Sequence, residues 1–323
     1  MILTRTPLRI SLFGGGSDMP EFYEEGFGAV LSFAIDKYVW VSVNDKFDGR
    51  MRVSYSKTEN VDEPSELEHE LVRAAMNRFN LRGLEITSVA DIPGEGSGLG
   101  SSSAFTVGLV RALDRYIDRN LNAHPSVYAE LAYEIERQYA GKIVGKQDHY
   151  ATACGGLHLF KFLDDGRVTA QLIGMTNALR YLLQENLMLF WTGKTRKADS
   201  ILNEQAFRIT SGSSRWMIEK LRELAIEANQ SIHKMGAKDL GLMLNEAWAF
   251  KKGIATVSDD WIDDLYMAAL AHGAYGGKIL GAGGGGFLLF VAEKEHQRGI
   301  EEALGLRRVR FELEERGSTV MVK

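Results

Sequence analysis

Four glycines on alternate positions, Gly94, Gly96, Gly98 and Gly100, run directly into three serines, Ser101, Ser102 and Ser103. Residues of these types at this spacing can hold an anion. Glycine lets the main chain approach a phosphate closely, and the N–H groups and dipole at a helix start favour negative charge. A serine hydroxyl there can also ligate a Mg²⁺ ion carried by the phosphates. Such a site needs a strand in front and a helix behind. The run from Leu84 to Ala90 alternates apolar and polar residues as a half-buried strand does, and Ala104 to Leu113 reads as an apolar helix. Taken alone, a glycine loop with a serine cap is more often a plain turn.

Two better-known loops are excluded. No lysine precedes the serines, so this is not G-x-x-x-x-G-K-[ST]. The spacing G-x-G-x-x-G occurs at Gly281, Gly283 and Gly286, but Phe287 to Val291 behind it reads as a strand, where a dinucleotide site needs a helix.

Carboxylates supply the remaining chemistry. The strand pattern from Leu8 to Phe13, which includes Arg9, runs into Gly14-Gly15-Gly16-Ser17-Asp18 and sets an acid on a loop that a ligand can approach. After Gly145, Asp148 opens a short helix in Gln147-Asp148-His149-Tyr150, where Lys146 and His149 would hold it ionised. Glu136 falls on a helix capped by Ser126 and running to about Tyr139, off its stripe of Leu131, Ile135 and Tyr139. By itself that is a solvated glutamate. Cys154 reads as a small packing residue, and the seven histidines form no zinc-type cluster. Asp259, Asp260, Asp263 and Asp264 read as acids complementing a helix start.

Along the rest of the chain, further strands are expected at 28–34, 37–44, 157–163 and 187–192, and helices at 20–25, from Glu66 (capped by Ser65) to about Phe79, and at 216–232. Gly193-Lys194-Thr195-Arg196-Lys197 is a cationic loop, and Gly273 to Gly286 is a bare, glycine-rich connection. Strands at 307–313 and 318–322 suit an antiparallel α+β domain. At 323 residues, with 45% hydrophobic and 25% charged residues, the composition is that of a globular protein of one large or two smaller domains. A net charge of −5 gives no footprint for nucleic acid. No apolar run is long enough for a membrane span, no leader is expected, and a single cysteine fits a reducing cytoplasm.

Three glycine motifs in this order, Arg9 to Asp18, Pro93 to Ala104 and Gly281 to Phe287, resemble the GHMP kinases, the superfamily of galactokinase, homoserine kinase, mevalonate kinase and phosphomevalonate kinase. The resemblance spans nearly the whole chain. It implies an α+β, two-domain GHMP kinase fold: a ribosomal-protein-S5-domain-2-like α/β domain over 1–165 and a ferredoxin-like domain over 166–323, with ATP and substrate between them.

Within the superfamily, Gly14-Gly15-Gly16-Ser17-Asp18, Gln147 to Tyr150 and Thr192 to Arg196 look like the heptose 7-phosphate kinase branch. Galactokinases usually carry Gly-Glu-His-Thr-Asp in the first motif, which this chain lacks, whereas fucokinase domains have a similar one. The resemblance implies the following roles. Gly96, Gly98, Gly100, Ser101 and Ser103 cradle the ATP phosphates, and Ser102 and Glu136 meet Mg²⁺. Asp148 orients or deprotonates the attacking hydroxyl, with Arg9 balancing the charge. Gly15, Gly16 and Asp18 meet the sugar, and Gly283 and Gly284 close over it. Lys194 and Arg196 are our candidates for the 7-phosphate. The expected partners are a sugar phosphate and ATP, and the expected reaction is phosphorylation of an anomeric hydroxyl. Another sugar 1-kinase, an L-fucokinase or a galactokinase-like enzyme, is the alternative, and a non-catalytic sugar and ATP sensor of the same fold is the reading from a different class.

Overall fold

Alternation gives the first strand two different faces. In β1 (Ile2–Phe13), Leu8, Ile10 and Leu12 are fully buried in the core, while Arg9 and Ser11 face a cavity. The computed structural model describes residues 1–94, 96–118, 123–195 and 198–322.

The strands that follow are β2 (Phe27–Asp45), β3 (Met51–Ser54), β4 (Thr58–Val61), β5 (Leu84–Ala90), β6 (Leu157–Leu163), β7 (Val168–Leu172), β8 (Leu187–Trp191), β9 (Gly276–Ile279), β10 (Phe287–Val291), β11 (Arg307–Val309) and β12 (Thr319–Val322). The helices are α1 (Pro20–Tyr23), α2 (Glu70–Phe79), α3 (Ser101–Ile117), α4 (Pro125–Glu134), α5 (Gln147–Cys154), α6 (Asn177–Glu185), α7 (Ala198–Thr210), α8 (Arg215–Ser231), α9 (Ala237–Ile254), α10 (Asp260–Ala271) and α11 (Lys294–Leu304).

Eight strands form the larger sheet, in the order β12-β1-β2-β5-β3-β4, with β6 on the other half of β2 and β7 beyond it. The two expected strands at 28–34 and 37–44 are one strand of 19 residues. Its register against β1 jumps from Tyr38 opposite Pro7 to Ile35 opposite Leu8, so Asp36 and Lys37 form a bulge where proline interrupts the ladder. The bulge lets one strand serve two neighbours, β5 along 39–45 and β6 along 27–33. Both β7 and β12 lie beyond residue 165 yet belong to this sheet. The smaller sheet is fully antiparallel, order β11-β8-β10-β9, with helices between β8 and β9 and between β10 and β11, a ferredoxin-like arrangement.

Local details differ from the sequence pattern. The helix expected from Glu66, with Ser65 as its cap, starts at Glu70 and is capped by the His69 ring, because Pro64–Glu66 closes a separate 3₁₀ turn first. The helix expected to run from Ser126 to Tyr139 is α4, capped by His124, and then a wider π-type turn, Ile135–Tyr139. Of the two last expected strands, only Arg307–Val309 joins the smaller sheet; Thr319–Val322 pairs with β1 in the larger one. Among the described residues, no helix is long and apolar enough to cross a membrane.

Helix α3 lies close against β1 because Gly108 has no side chain: a Cβ there would come within 2.8 Å of the Thr6 hydroxyl. That docking sets Gly100, at the head of α3, against the Arg9 side chain. The third glycine motif interlocks with the second in the same way. Gly286, at φ +89°, presses its bare Cα on the Ser97 carbonyl. Gly286→Ala should therefore destabilise the protein by more than about 1 kcal/mol, through backbone strain and this collision, with a lowered midpoint in denaturant unfolding. An unchanged midpoint contradicts the interlock.

Candidate active site

A cavity of about 1150 Å³ opens between the two sheets, walled by all three glycine motifs. At its centre Arg9 and Asp148 are locked together. Arg9 Nε donates to Asp148 Oδ1 at 2.7 Å and Nη2 to Oδ2 at 2.6 Å, while Nη1 donates to the Gly98 carbonyl at 2.7 Å. The main-chain N–H of Arg9 also donates to Leu99 O, at 3.0 Å. One side chain thus ties β1, the glycine loop and α5. Arg9 is 2% exposed, whereas the Asp148 side chain keeps 26% of its surface open to the cavity. The sequence pattern assigned Asp148 different neighbours. In the structure Lys146 turns away to Glu130 and the Gly166 carbonyl, and His149 faces Glu136.

Asp18 sits next to this pair, 2% exposed, and is held as an acceptor. Gly16 N donates to Oδ1 at 3.0 Å, Gln147 Nε2 to Oδ1 at 2.9 Å and Gln147 N to Oδ2 at 3.1 Å. Ser11, two residues along the face that carries Arg9, donates to Gln147 Oε1 at 2.8 Å. Burial, and then the Asp148 charge, push the Asp18 carboxyl from 3.8 up to about 6.

Gly100 caps α3 in a left-handed conformation, φ +76°, so the first-turn amides of Ser101, Ser102 and Ser103 have no acceptor within the helix. These serines, with Gly96, Gly98 and Gly100, line the cavity. Glu136 is not the solvated residue its isolated sequence pattern suggests. The π-type turn rotates it inward to 1% exposure, where Oε1 accepts from the Thr106 hydroxyl at 2.7 Å and lies 3.3 Å from His149 Nε2. Burial alone would push this carboxyl up; His149 and Thr106 outweigh that and hold it below its ordinary value. Ser102 and Glu136 line the cavity together, and two oxygen ligands with the rest from phosphate and water is a common way to hold Mg²⁺.

The remaining expected residues divide. Gly15, Gly16 and Gly283 line the cavity, whereas the Gly284 N–H is committed to the Val257 carbonyl at 2.8 Å. Lys194 is not brought to the cavity wall: its ammonium stands over the Trp261 ring at 3.8 Å, and its carbonyl holds the Gly286 N–H. Arg196 lies outside the described residues. Sequence reasoning missed Gln147, Lys251, Lys278 and an aromatic group of Tyr55, His69 and Phe105 that lines one end of the cavity. Ser11 was detectable from its two-residue spacing to Arg9. Lys278, a lone charge in the buried run Gly276–Ile279, was a second available signal.

The GHMP kinases N terminal domain matches residues 68–156, and the GHMP kinases C terminal domain matches residues 217–308. Together they cover more than half of the chain, in the family's order. A D-glycero-alpha-D-manno-heptose 7-phosphate kinase from Campylobacter jejuni is 29% identical over 94% of this chain and 93% of its own length. A galactokinase from Pyrococcus furiosus is 25% identical over 94% of this chain and 92% of its own. Among solved structures, a D-glycero-D-manno-heptose 1-phosphate kinase from Bacteroides thetaiotaomicron superposes with a TM-score of 0.79 at 24% identity, covering 100% of this chain and 99% of that one. The chain belongs to the GHMP kinases. It is a phosphotransferase, of a family that uses ATP as phosphate donor.

The buried Asp18 carboxyl has a consequence for stability. Between about pH 4 and pH 6 the folded chain holds a proton there that the unfolded chain has released, so this group's contribution falls as pH rises through about 6. Relative to Asp18→Asn, the wild type should lose on the order of 1–3 kcal/mol between about pH 4 and pH 7, read from denaturant midpoints. A gap that stays constant with pH contradicts this environment.

Proposed function

We propose that the protein phosphorylates the anomeric C1 hydroxyl of D-glycero-D-manno-heptose 7-phosphate, using Mg²⁺-ATP, to give the 1,7-bisphosphate. The observation that carries this reading is the Arg9-bound Asp148, set between the serine-lined helix start and the Asp18–Gln147 network. One side of that carboxylate suits a phosphate donor, the other a polyol.

In this reading the triphosphate lies along Gly96 to Ser103, its oxygens taking the first-turn amides of α3, and the base stacks among Tyr55, His69 and Phe105. Ser102 and Glu136 would hold Mg²⁺, which neutralises charge on the phosphates. Asp18 accepts hydrogen bonds from sugar hydroxyls. Asp148 accepts one from the C1 hydroxyl and takes its proton as the oxygen–phosphorus bond forms. Because both carboxylate oxygens already bond Arg9, Asp148 is held in one orientation, and its main effect is to aim the hydroxyl. Phosphoryl transfer through a loose transition state asks for little more. Arg9 meanwhile offsets the charge that develops beside it. The heptose acceptor itself is supported by the first-motif sequence and by the similarity to the Campylobacter jejuni enzyme.

The test is ADP release with Mg²⁺-ATP against heptose 7-phosphate, free heptose, L-fucose and galactose, with phosphorus NMR to locate the new ester. Turnover confined to the 7-phosphate, with the ester at C1, is expected. Turnover on a neutral sugar instead moves the acceptor assignment to another sugar 1-kinase, and silence with bound ATP favours a sensor. Asp148→Asn should lower turnover at least about 10²-fold while nucleotide still binds; retained turnover contradicts the role given to Asp148.

A further inference from the structure

Two lysines that line the cavity have no part in the proposed reaction. Lys278, on β9, is 6% exposed, and its ammonium donates to the Leu12 carbonyl at 2.8 Å. Lys251, on α9, is half-buried and opens onto the cavity, where it donates to the carbonyls of Ile279 at 3.2 Å and Gly281 at 2.5 Å. Among the described residues, no carboxylate lies within 4.0 Å of either. An ammonium has three donors, so each keeps at least one uncommitted to those carbonyls. Cations so placed are costly to bury without an anion. Burial pushes Lys251 down to about 7, with the nearby Arg9 adding to the fall and Asp148 opposing it, and Lys278 is pushed down by burial and by Lys251 and Arg9.

We propose that Lys251 and Lys278 form a cationic seat for the terminal phosphoryl group of the nucleoside triphosphate. Three cations, Arg9, Lys251 and Lys278, line the same cavity, and of these only Arg9 bonds Asp148. The missing counter-charge is that of a phosphate. Its position identifies which phosphate. Lys251 is held by the carbonyl of Gly281, and Gly281 packs directly on Gly98, whose own carbonyl bonds Arg9. The seat is therefore at the reacting end of the cavity, whereas an acceptor's own phosphate ester lies at the far end of the sugar from C1. The donor phosphate would then be gripped from two sides: amides and Arg9 from the N-terminal half, lysines from the C-terminal half. This placement rests on the reading of Asp148 as the reacting end, and not on which sugar is the acceptor.

The experiment is calorimetric binding of Mg²⁺-ADP and of a non-hydrolysable Mg²⁺-ATP analogue, without acceptor, to wild type, Lys251→Met, Lys278→Met and Lys251→Arg. Wild type is expected to bind the triphosphate more tightly. Each methionine variant should lose at least about tenfold of that preference, the worth of one hydrogen bond to a charged group, while ADP affinity holds. Lys251→Arg should recover part of it, and serves as the informative variant if a methionine chain does not fold. An unchanged triphosphate preference overturns the proposal. So does an equal loss for ADP, or a loss confined to the acceptor's KM. A wrong acceptor sugar leaves these binding measurements untouched, and a wrong role for Asp148 appears separately in the turnover of Asp148→Asn.

Discussion

The paired hydrogen bonds from Arg9 to Asp148 are the constraint on which the rest of the site depends. A guanidinium on β1 and a carboxylate at the start of α5 are 139 residues apart, yet they meet in a two-pronged geometry that tolerates little displacement. The third arm of the same guanidinium bonds the Gly98 carbonyl, so the glycine loop is set from the same point. Breaking a buried pair of this kind by removing one partner typically costs about 3–5 kcal/mol, because a charge is left without its counter-ion. Sheet, loop and helix are thereby held in one register, and the Ser11–Gln147–Asp18 chain extends that register to the first glycine motif.

Around this pair the charges are arranged for ligands rather than for stability. Asp18 is a buried acid raised to about 6, and Lys251 a cation lowered to about 7. Each is less stable in the fold than it would be in water. Both face the cavity, where a polyol or a phosphate would replace the lost solvent. Perturbed groups cluster at sites that do chemistry, and Asp18, Lys251 and Lys278 all line this cavity. The glycines at Gly98, Gly281 and Gly286 serve the same end, since their bare Cα atoms let the loops of the two halves touch.

Much of the fold was legible in the sequence because it depended on local pattern. Alternation marked β1 and β5, the helical period marked α8, and the glycine spacing marked the loops. What was not legible arose between distant segments. Nothing local shows that β12 returns to pair with β1, or that a bulge lets β2 run unbroken across two neighbours. The same holds within the site. Chain neighbours point to Lys146 and His149 as the partners of Asp148, but α5 aims those side chains elsewhere and the sheet supplies Arg9. Glu136 has the pattern of a surface glutamate, and only the π-type turn brings it under α3. Lys194 has the charge of a phosphate ligand, and stands instead on Trp261.

The most direct measurement is a double-mutant cycle on turnover, with Arg9→Met, Asp148→Asn and both together, each checked for folding by circular dichroism. If the two side chains act as one unit at the reacting end, the double variant is no slower than the worse single one, since either change alone already dismantles the pair. Losses that multiply would mean that Arg9 and Asp148 act independently, and would contradict their role as a single unit.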